Sequence, residues 1–306
     1  MNDLSQFRHR DSLERQPVPW TAVPEVRQYV NDLISDGDGL PPLEWFQRWL
    51  AGRRFVQALS IGCGNGDFDR QLITQGLAGR IDSFDPSDAS LQIAQRAAAA
   101  EGLGDRIRYF TADLNEPRLP DTRYDLVCFH QSAHRVGRLE ELFRAVLRVL
   151  HPEGLVYLDG YIGPSRDSWN DELLAAPRAE YAAVPPELRL TGDLPYPIEE
   201  GDASEAIRSS DIESRLRLWF DVAARRPYGG TLLSLLLPRL RLDRLTHAQI
   251  TRLIDRERVL LAGGARSYYT IIVARPKRGL AKTWARLRYG FARDLRARLR
   301  RRRAMK

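Results

Sequence analysis

The chain is 306 residues long, with 43% hydrophobic and 28% charged residues, the proportions of a globular protein and not of a disordered or membrane-spanning one. Its formal net charge of +7 is unevenly placed: residues 276–306 carry 13 Lys and Arg against the single Asp294, whereas the preceding residues hold 34 basic and 39 acidic side chains, a net of −5. The body is acidic and the tail intensely basic, so the high isoelectric point describes the tail alone. Cys63 and Cys128 are the only cysteines, which excludes a disulfide framework and a cysteine metal site, and no metal is expected. Met1 to Arg10 contains no apolar stretch of a secretory signal, so a cytoplasmic location is expected.

Residues 1–50 read as a helical cap. Trp20, Val23, Val26, Tyr29, Val30 and Leu33 recur at helical spacing, and Pro41-Pro42 introduces a second stretch from Leu43 to Leu50. Next comes a short apolar strand, Phe55 to Ile61, running into a turn with glycines at 62, 64 and 66. Without a Cβ, glycine lets the chain turn tightly off the strand and lets a ligand approach bare backbone. The dinucleotide fingerprint needs its third glycine one place later, where this chain has Asp67. A carboxylate there would repel a pyrophosphate and tolerate a ligand carrying an amine or sulfonium. A second strand ends on Asp85, 23 residues after Gly62, where a carboxylate can accept from both hydroxyls of a ribose.

Strand and helix then alternate, the pattern of a parallel sheet with crossover helices. A helix is expected from about Ser87 to Ala100, a third strand over Ile107 to Phe110 and a fourth over Tyr124 to Phe129. Leu139, Leu142, Phe143, Val146, Leu147 and Leu150 form a helical stripe, and the turn His151-Pro152-Glu153-Gly154 leads to a fifth strand, Leu155 to Asp159. Residues 163–214 interrupt the alternation as an insertion, within which a helix starts at about Ser204 and runs to Leu218. A sixth strand is expected near Phe220 to Ala224 and a last, antiparallel one over Ser267 to Ala274.

From about Val56 to Arg275 the chain resembles the class I S-adenosylmethionine-dependent methyltransferases. The resemblance implies an α/β, Rossmann-like, seven-stranded and mostly parallel sheet with helices on both faces, over residues 51–276. It also implies S-adenosylmethionine as cofactor, with Gly62, Gly64 and Gly66 at its methionine end, Asp85 at the ribose and Asp113, in Phe110-Thr111-Ala112-Asp113-Leu114, at the adenine amine. Where the family often has an acid two residues before the first glycine, this chain has Ser60, whose hydroxyl lacks the charge assistance of a carboxylate.

The reaction itself is an in-line displacement at a carbon already activated by sulfonium, so the protein has to align the acceptor and, where needed, take a proton. Candidates follow the fourth and fifth strands: His130 and His134, whose imidazoles can accept a proton at neutral pH, and Tyr161. His130 occupies the position at which related enzymes touch the cofactor. Gly160 to Arg166 and Ser204 to Ser210 resemble a bacterial branch associated with polysaccharide assembly. That likeness implies a small-molecule, glycan or lipid-linked acceptor methylated on oxygen, with Arg166 and Arg208 available for an anionic group. An RNA methyltransferase and a non-catalytic cofactor-binding partner protein are the alternatives.

Residues 277–306 form a separate unit. Leu280, Trp284, Leu287, Phe291, Leu295 and Leu299 fall at steps of three and four with Lys and Arg between them, a basic amphipathic helix suited to an anionic membrane surface through residues 280–303. The apolar stripe ranks lipid above nucleic acid, since phosphate binding alone does not require it.

Overall fold

The computed structural model of the chain describes residues 19–197, 204–277 and 279. The basic tail expected over 277–306, and the lipid surface assigned to it, lie outside the described residues apart from 277 and 279. The described chain builds a seven-stranded sheet in the order β3-β2-β1-β4-β5-β7-β6. The strands are β1 (Phe55–Ile61), β2 (Ala78–Asp85), β3 (Ile107–Thr111), β4 (Tyr124–His130), β5 (Leu150–Tyr161), β6 (Phe220–Pro227) and β7 (Tyr269–Pro276). β1 to β5 pair in parallel, and β7 runs antiparallel between β5 and β6.

The sheet is buried on both faces by helices, as a parallel sheet must be. On one face lie α1 (Pro24–Ser35), α2 (Pro42–Trp49), α3 (Asp67–Thr74), α6 (Asp171–Ala182), α8 (Leu233–Leu236) and α9 (His247–Ala262), and on the other α5 (Leu139–Val149) and α7 (Ile212–Trp219). A further helix, α4 (Asp88–Ala100), packs along β3 and starts at Ser87, whose hydroxyl accepts from Ser90 N–H. Strand residues of one parity share a face. Ala58 and Leu126 belong to the α3-side core, and the same parity puts Ser60, Ser83, Asp85, Cys128, His130 and Asp159 on that side, toward the carboxyl ends of their strands.

The N-terminal segment packs as an extra layer on this face. Pro24 opens α1 at a position that needs no amide donor. Phe46 of α2 is fully buried against Phe55 and Tyr157, with ring centroids 6.4 and 4.6 Å apart, and Trp20 meets Tyr269 at 5.2 Å.

Two elements differ from the sequence expectation. β5 begins at Leu150, which pairs with Tyr124 at the very end of α5. Residues 151–154 form an irregularity before pairing resumes at Leu126 with Leu155. The helix expected from Ser204 begins only at Ile212, because the preceding backbone is drawn into tertiary hydrogen bonds: Ile207 N–H donates to His134 O, and Ala206 O accepts from Arg166 N–H.

A buried acid fixes the loop between β6 and α8. Glu257 of α9 accepts from Gly230 N–H at 2.9 Å with one oxygen and from Leu232 and Leu233 N–H at 2.9 and 2.8 Å with the other. Burial pushes its carboxyl pKa up, and the three amides oppose that rise. Glu257→Gln puts an NH2 group against amide donors and should lower unfolding free energy by about 2–3 kcal/mol in urea titrations.

Candidate active site

The glycine turn sits where strand order reverses, with β1 between β2 and β4, the place where open α/β sheets bind ligands. Gly62, Gly64 and Gly66 all have positive φ, of 74°, 53° and 73°. At Gly62 an added Cβ would lie 2.4 Å from Ser132 Cβ, and at Gly66 it would lie 2.7 Å from Tyr109 Oη. These two are glycines for close packing. Gly64 has nothing within 4 Å of such a Cβ, so its bare backbone faces open space, a cradle for a ligand.

Asp85 closes the other side of that space. Its Oδ2 accepts from Gly64 N–H at 2.8 Å and its Oδ1 from Ser87 N–H at 2.9 Å, which ties the end of β2 to the turn. Each oxygen keeps a lone pair, so the carboxylate can still take two hydroxyl donors. Asp113 is exposed one turn beyond β3, with its carboxylate accepting from Asn115 N–H at 2.8 Å. Asn115 in turn accepts from Gly137 N–H at 2.8 Å and so fixes this loop to the one after β4.

Asp67 is exposed on the first turn of α3, paired with Arg70, and does not face the turn's interior. The buried acid here is Asp69, which no motif or spacing in the sequence marks. Ser83 Oγ donates to its Oδ2 at 2.7 Å, whereas no donor reaches Oδ1 in good geometry. Burial pushes its pKa up to about 6. The Ser60 and Ser83 hydroxyls pull it down, followed by the more distant charges of His130 and Arg70. The thiols of Cys63 and Cys128 and the Tyr109 hydroxyl, all driven upward mainly by burial, also feel its charge.

His130 ends β4 opposite Asp159 on β5, its register partner, and Nδ1 stands 3.2 Å from Asp159 Oδ2. Tyr228 Oη donates to Asp159 Oδ1 at 2.6 Å and accepts from Gln131 Nε2 at 3.3 Å. Phe68 stacks on the imidazole at 4.5 Å, with the planes 7° apart. The ring is thus held on its edge and one face, while 40% of the side chain stays exposed. A carboxylate on Nδ1 favours the tautomer whose proton sits there and leaves the Nε2 lone pair outward. Gln131 follows at φ 50°, with its N–H on Asp159 O at 2.7 Å, so the backbone turns sharply at the site.

The other sequence candidates are placed differently. His134 is buried with Nε2 3.0 Å from Glu205. The Tyr161 hydroxyl donates to Pro164 O at 2.9 Å, and burial drives its pKa up. Its ring joins Tyr268 and Tyr269, with Tyr228, Trp20 and Trp169 beyond them, in one aromatic cluster. Arg208 is not available to an external anion: its fork holds Glu140 through two bonds of 2.9 Å, and it also binds Asp211 and Gly137 O. Arg208 in turn holds the Glu140 pKa down at about 2.

Residues 58–154 match the family described as methyltransferase domain. The ubiquinone/menaquinone biosynthesis C-methyltransferase UbiE of Azotobacter vinelandii is 30% identical over 44% of this chain and 54% of its own length. The matched segment, residues 58–154, is a methyltransferase domain. A sterol 24-C-methyltransferase, erg6 of Aspergillus fumigatus, is 26% identical over 33% of this chain and 26% of its own. The chain spans about half the length of the first of these relatives. Among solved structures, an S-adenosylmethionine-dependent methyltransferase from Mesorhizobium loti is 20% identical, covering 76% of this chain and 97% of that one with a TM-score of 0.46.

The site fits the methyltransferase cofactor on its own observations: a cradle at Gly64, an acid at Asp85 with free lone pairs, and a buried anion at Asp69 with an unpartnered oxygen. That anion also has a cost. Because the folded protein keeps the Asp69 proton up to about pH 6, whereas an ordinary carboxyl releases it near 3.8, the fold binds more protons than the unfolded chain in between. The contribution to stability is full below about pH 4 and falls as pH rises to 6, by an amount of order 3 kcal/mol. Asp69→Asn should remove this component, so the difference in urea stability between variant and wild type should shift in the variant's favour from pH 4 to pH 7.

Proposed function

We propose that the protein transfers a methyl group from S-adenosylmethionine to an acceptor that loses a proton to His130. The observation that carries the reading is the joint presence, on one sheet face, of the Gly64–Asp85 cradle and the His130–Asp159–Tyr228 chain. The cofactor supplies a methyl carbon activated by its sulfonium. Asp85 and the Gly64 backbone bind and orient the nucleoside. His130 Nε2 takes the acceptor's proton, and Asp159 holds the Nδ1 proton and balances the charge that forms on the ring, as a carboxylate does for a histidine base. Tyr228 keeps the carboxylate turned toward the imidazole. The aromatic cluster of Tyr161, Tyr268 and Tyr269 joins the Asp159 chain through Tyr228 and would limit water on that side of the base.

The acceptor class favoured here is a hydroxyl on a small molecule, a glycan or a lipid-linked precursor, because an ionisable hydroxyl is what a neutral imidazole can assist. The relatives named above are C-methyltransferases, which makes an activated carbon the second reading. Isotopic labelling of the transferred methyl distinguishes an ether from a carbon-bound product. In calorimetry, wild type should bind S-adenosylmethionine and Asp85→Ala should bind at least about tenfold more weakly. His130→Ala should keep cofactor binding and lose about 10²-fold or more in transfer to phenol, sugar and quinol acceptors. A wild type that does not bind the cofactor defeats the proposal.

No helix among the described residues is long and apolar enough to cross a membrane. The amphipathic segment 280–303 would instead hold the domain against anionic lipid, within reach of a lipid-linked acceptor. Flotation with phosphatidylglycerol vesicles should be lost on removal of residues 280–306, and unchanged flotation rejects this role.

A further inference from the structure

Asp69 is fully buried beneath the glycine turn, and among the described residues no Lys, Arg or His forms an ion pair with it. The two basic side chains nearest in effect are already committed. Arg70 binds Asp67, Glu101 and Asn65 O, and His130 is held by Asp159. A carboxylate in that setting is expensive unless something else neutralises it, since an uncompensated buried charge normally costs several kcal/mol. Its Oδ1 has no aligned donor, and the Ser60 hydroxyl, at the end of β1 two residues before the turn, is the polar group beside it on the turn side.

Resting on the cofactor reading above, we infer that Asp69 supplies the negative charge that holds the ammonium group at the methionine end of S-adenosylmethionine, acting through the Ser60 hydroxyl. A serine hydroxyl has one proton and two lone pairs. Turned onto the unpaired Asp69 oxygen, the proton of the buried Ser60 hydroxyl would leave the serine lone pairs to act as an acceptor, and the carboxylate would polarise them into a stronger one. The strand position beside the turn therefore carries a neutral side chain that transmits a charge stored one layer below, on the first turns of α3. The other acid of the turn, Asp85, stands at the nucleoside side of the cradle, where its remaining lone pairs are assigned to the ribose hydroxyls. Asp69 is a positioning residue, since it reaches the cofactor only through Ser60.

The test compares two ligands in calorimetry on the full chain: S-adenosylhomocysteine, and 5′-methylthioadenosine, which shares the nucleoside thioether but lacks the amino-acid end. Asp69→Asn and Ser60→Ala should each weaken S-adenosylhomocysteine by about tenfold and leave methylthioadenosine within about twofold. Placing the acid on the strand, Ser60→Asp combined with Asp69→Asn, should restore the lost affinity. Equal weakening of both ligands means that Asp69 only supports the fold, and unchanged affinities mean that it is not coupled to the ammonium. Either result overturns the inference, and Ser60→Ala separates the same outcomes should Asp69→Asn fail to fold. A wild type that binds neither ligand overturns the cofactor reading itself, and this inference with it.

Discussion

Everything at the site depends on how closely the turn after β1 approaches the loop after β4. Gly62 lies so near Ser132 that even a methyl group would overlap its Cβ, and Ser132 Oγ donates to Ile61 O at 2.5 Å across the same gap. The contact occurs where the sheet order reverses, and it brings two loops from unrelated parts of the chain into one wall. With it in place, Asp85 can clasp the glycine turn from β2, Phe68 can stack on His130 from α3, and Asp159 can reach His130 from β5. Glycine at 62 is therefore a packing requirement first. The binding surface proper is the open backbone at Gly64.

The four acids on the α3 side of the sheet show how differently a fold can treat a buried carboxylate. Glu257 and Asp85 are satisfied by backbone amides, and each uses that bond to position a loop. Asp159 is satisfied by a phenol and an imidazole and so becomes part of a chain that orients His130, the proposed base. Asp69 receives one hydroxyl, with a second beside it, and keeps one oxygen unpaired. Since buried polar groups are almost always paired, the exception is where a ligand's charge is most usefully sought.

The order and type of the strands were legible because each is an apolar run bounded by turn residues, and GxGxG with Asp85 at the next strand end marks the cradle through spacing alone. What could not be read are contacts set by helical phase or by register between strands. In residue type Asp69 is one more acid on an amphipathic helix, although its position in the first turn of α3 points it at Ser60 and Ser83, themselves register partners. Asp159 was visible as the last residue of an apolar strand. Only its pairing opposite His130 gives it a role, and a polar residue at the carboxyl end of each of two neighbouring apolar strands was the available signal. Arg208 misled for the converse reason: a lone arginine in a loop reads as free, and Glu140, which occupies its fork, is 68 residues away in sequence. The partner of Tyr161, Pro164 O, is a backbone atom with no trace in residue types.

The same distinction explains why the methyltransferase fold was easier to infer than the acceptor. Cofactor contacts come from residues at strand ends and from the turn joining them, whose positions follow from the fold's own periodicity. In the proposed reading the acceptor side is the cluster of Tyr161, Tyr228, Tyr268 and Tyr269, which arrive from β5, from the segment after β6 and from the start of β7, and meet only because β7 runs antiparallel between β5 and β6. Tyr228 belongs at once to this wall and to the Asp159 chain, so a change in wall shape is also a change in how the base is held. A substitution that widens the aromatic wall at Tyr228 also removes the hydroxyl that holds Asp159 beside His130, so the proposed reading couples the shape of the acceptor side to the orientation of the proposed base through one side chain.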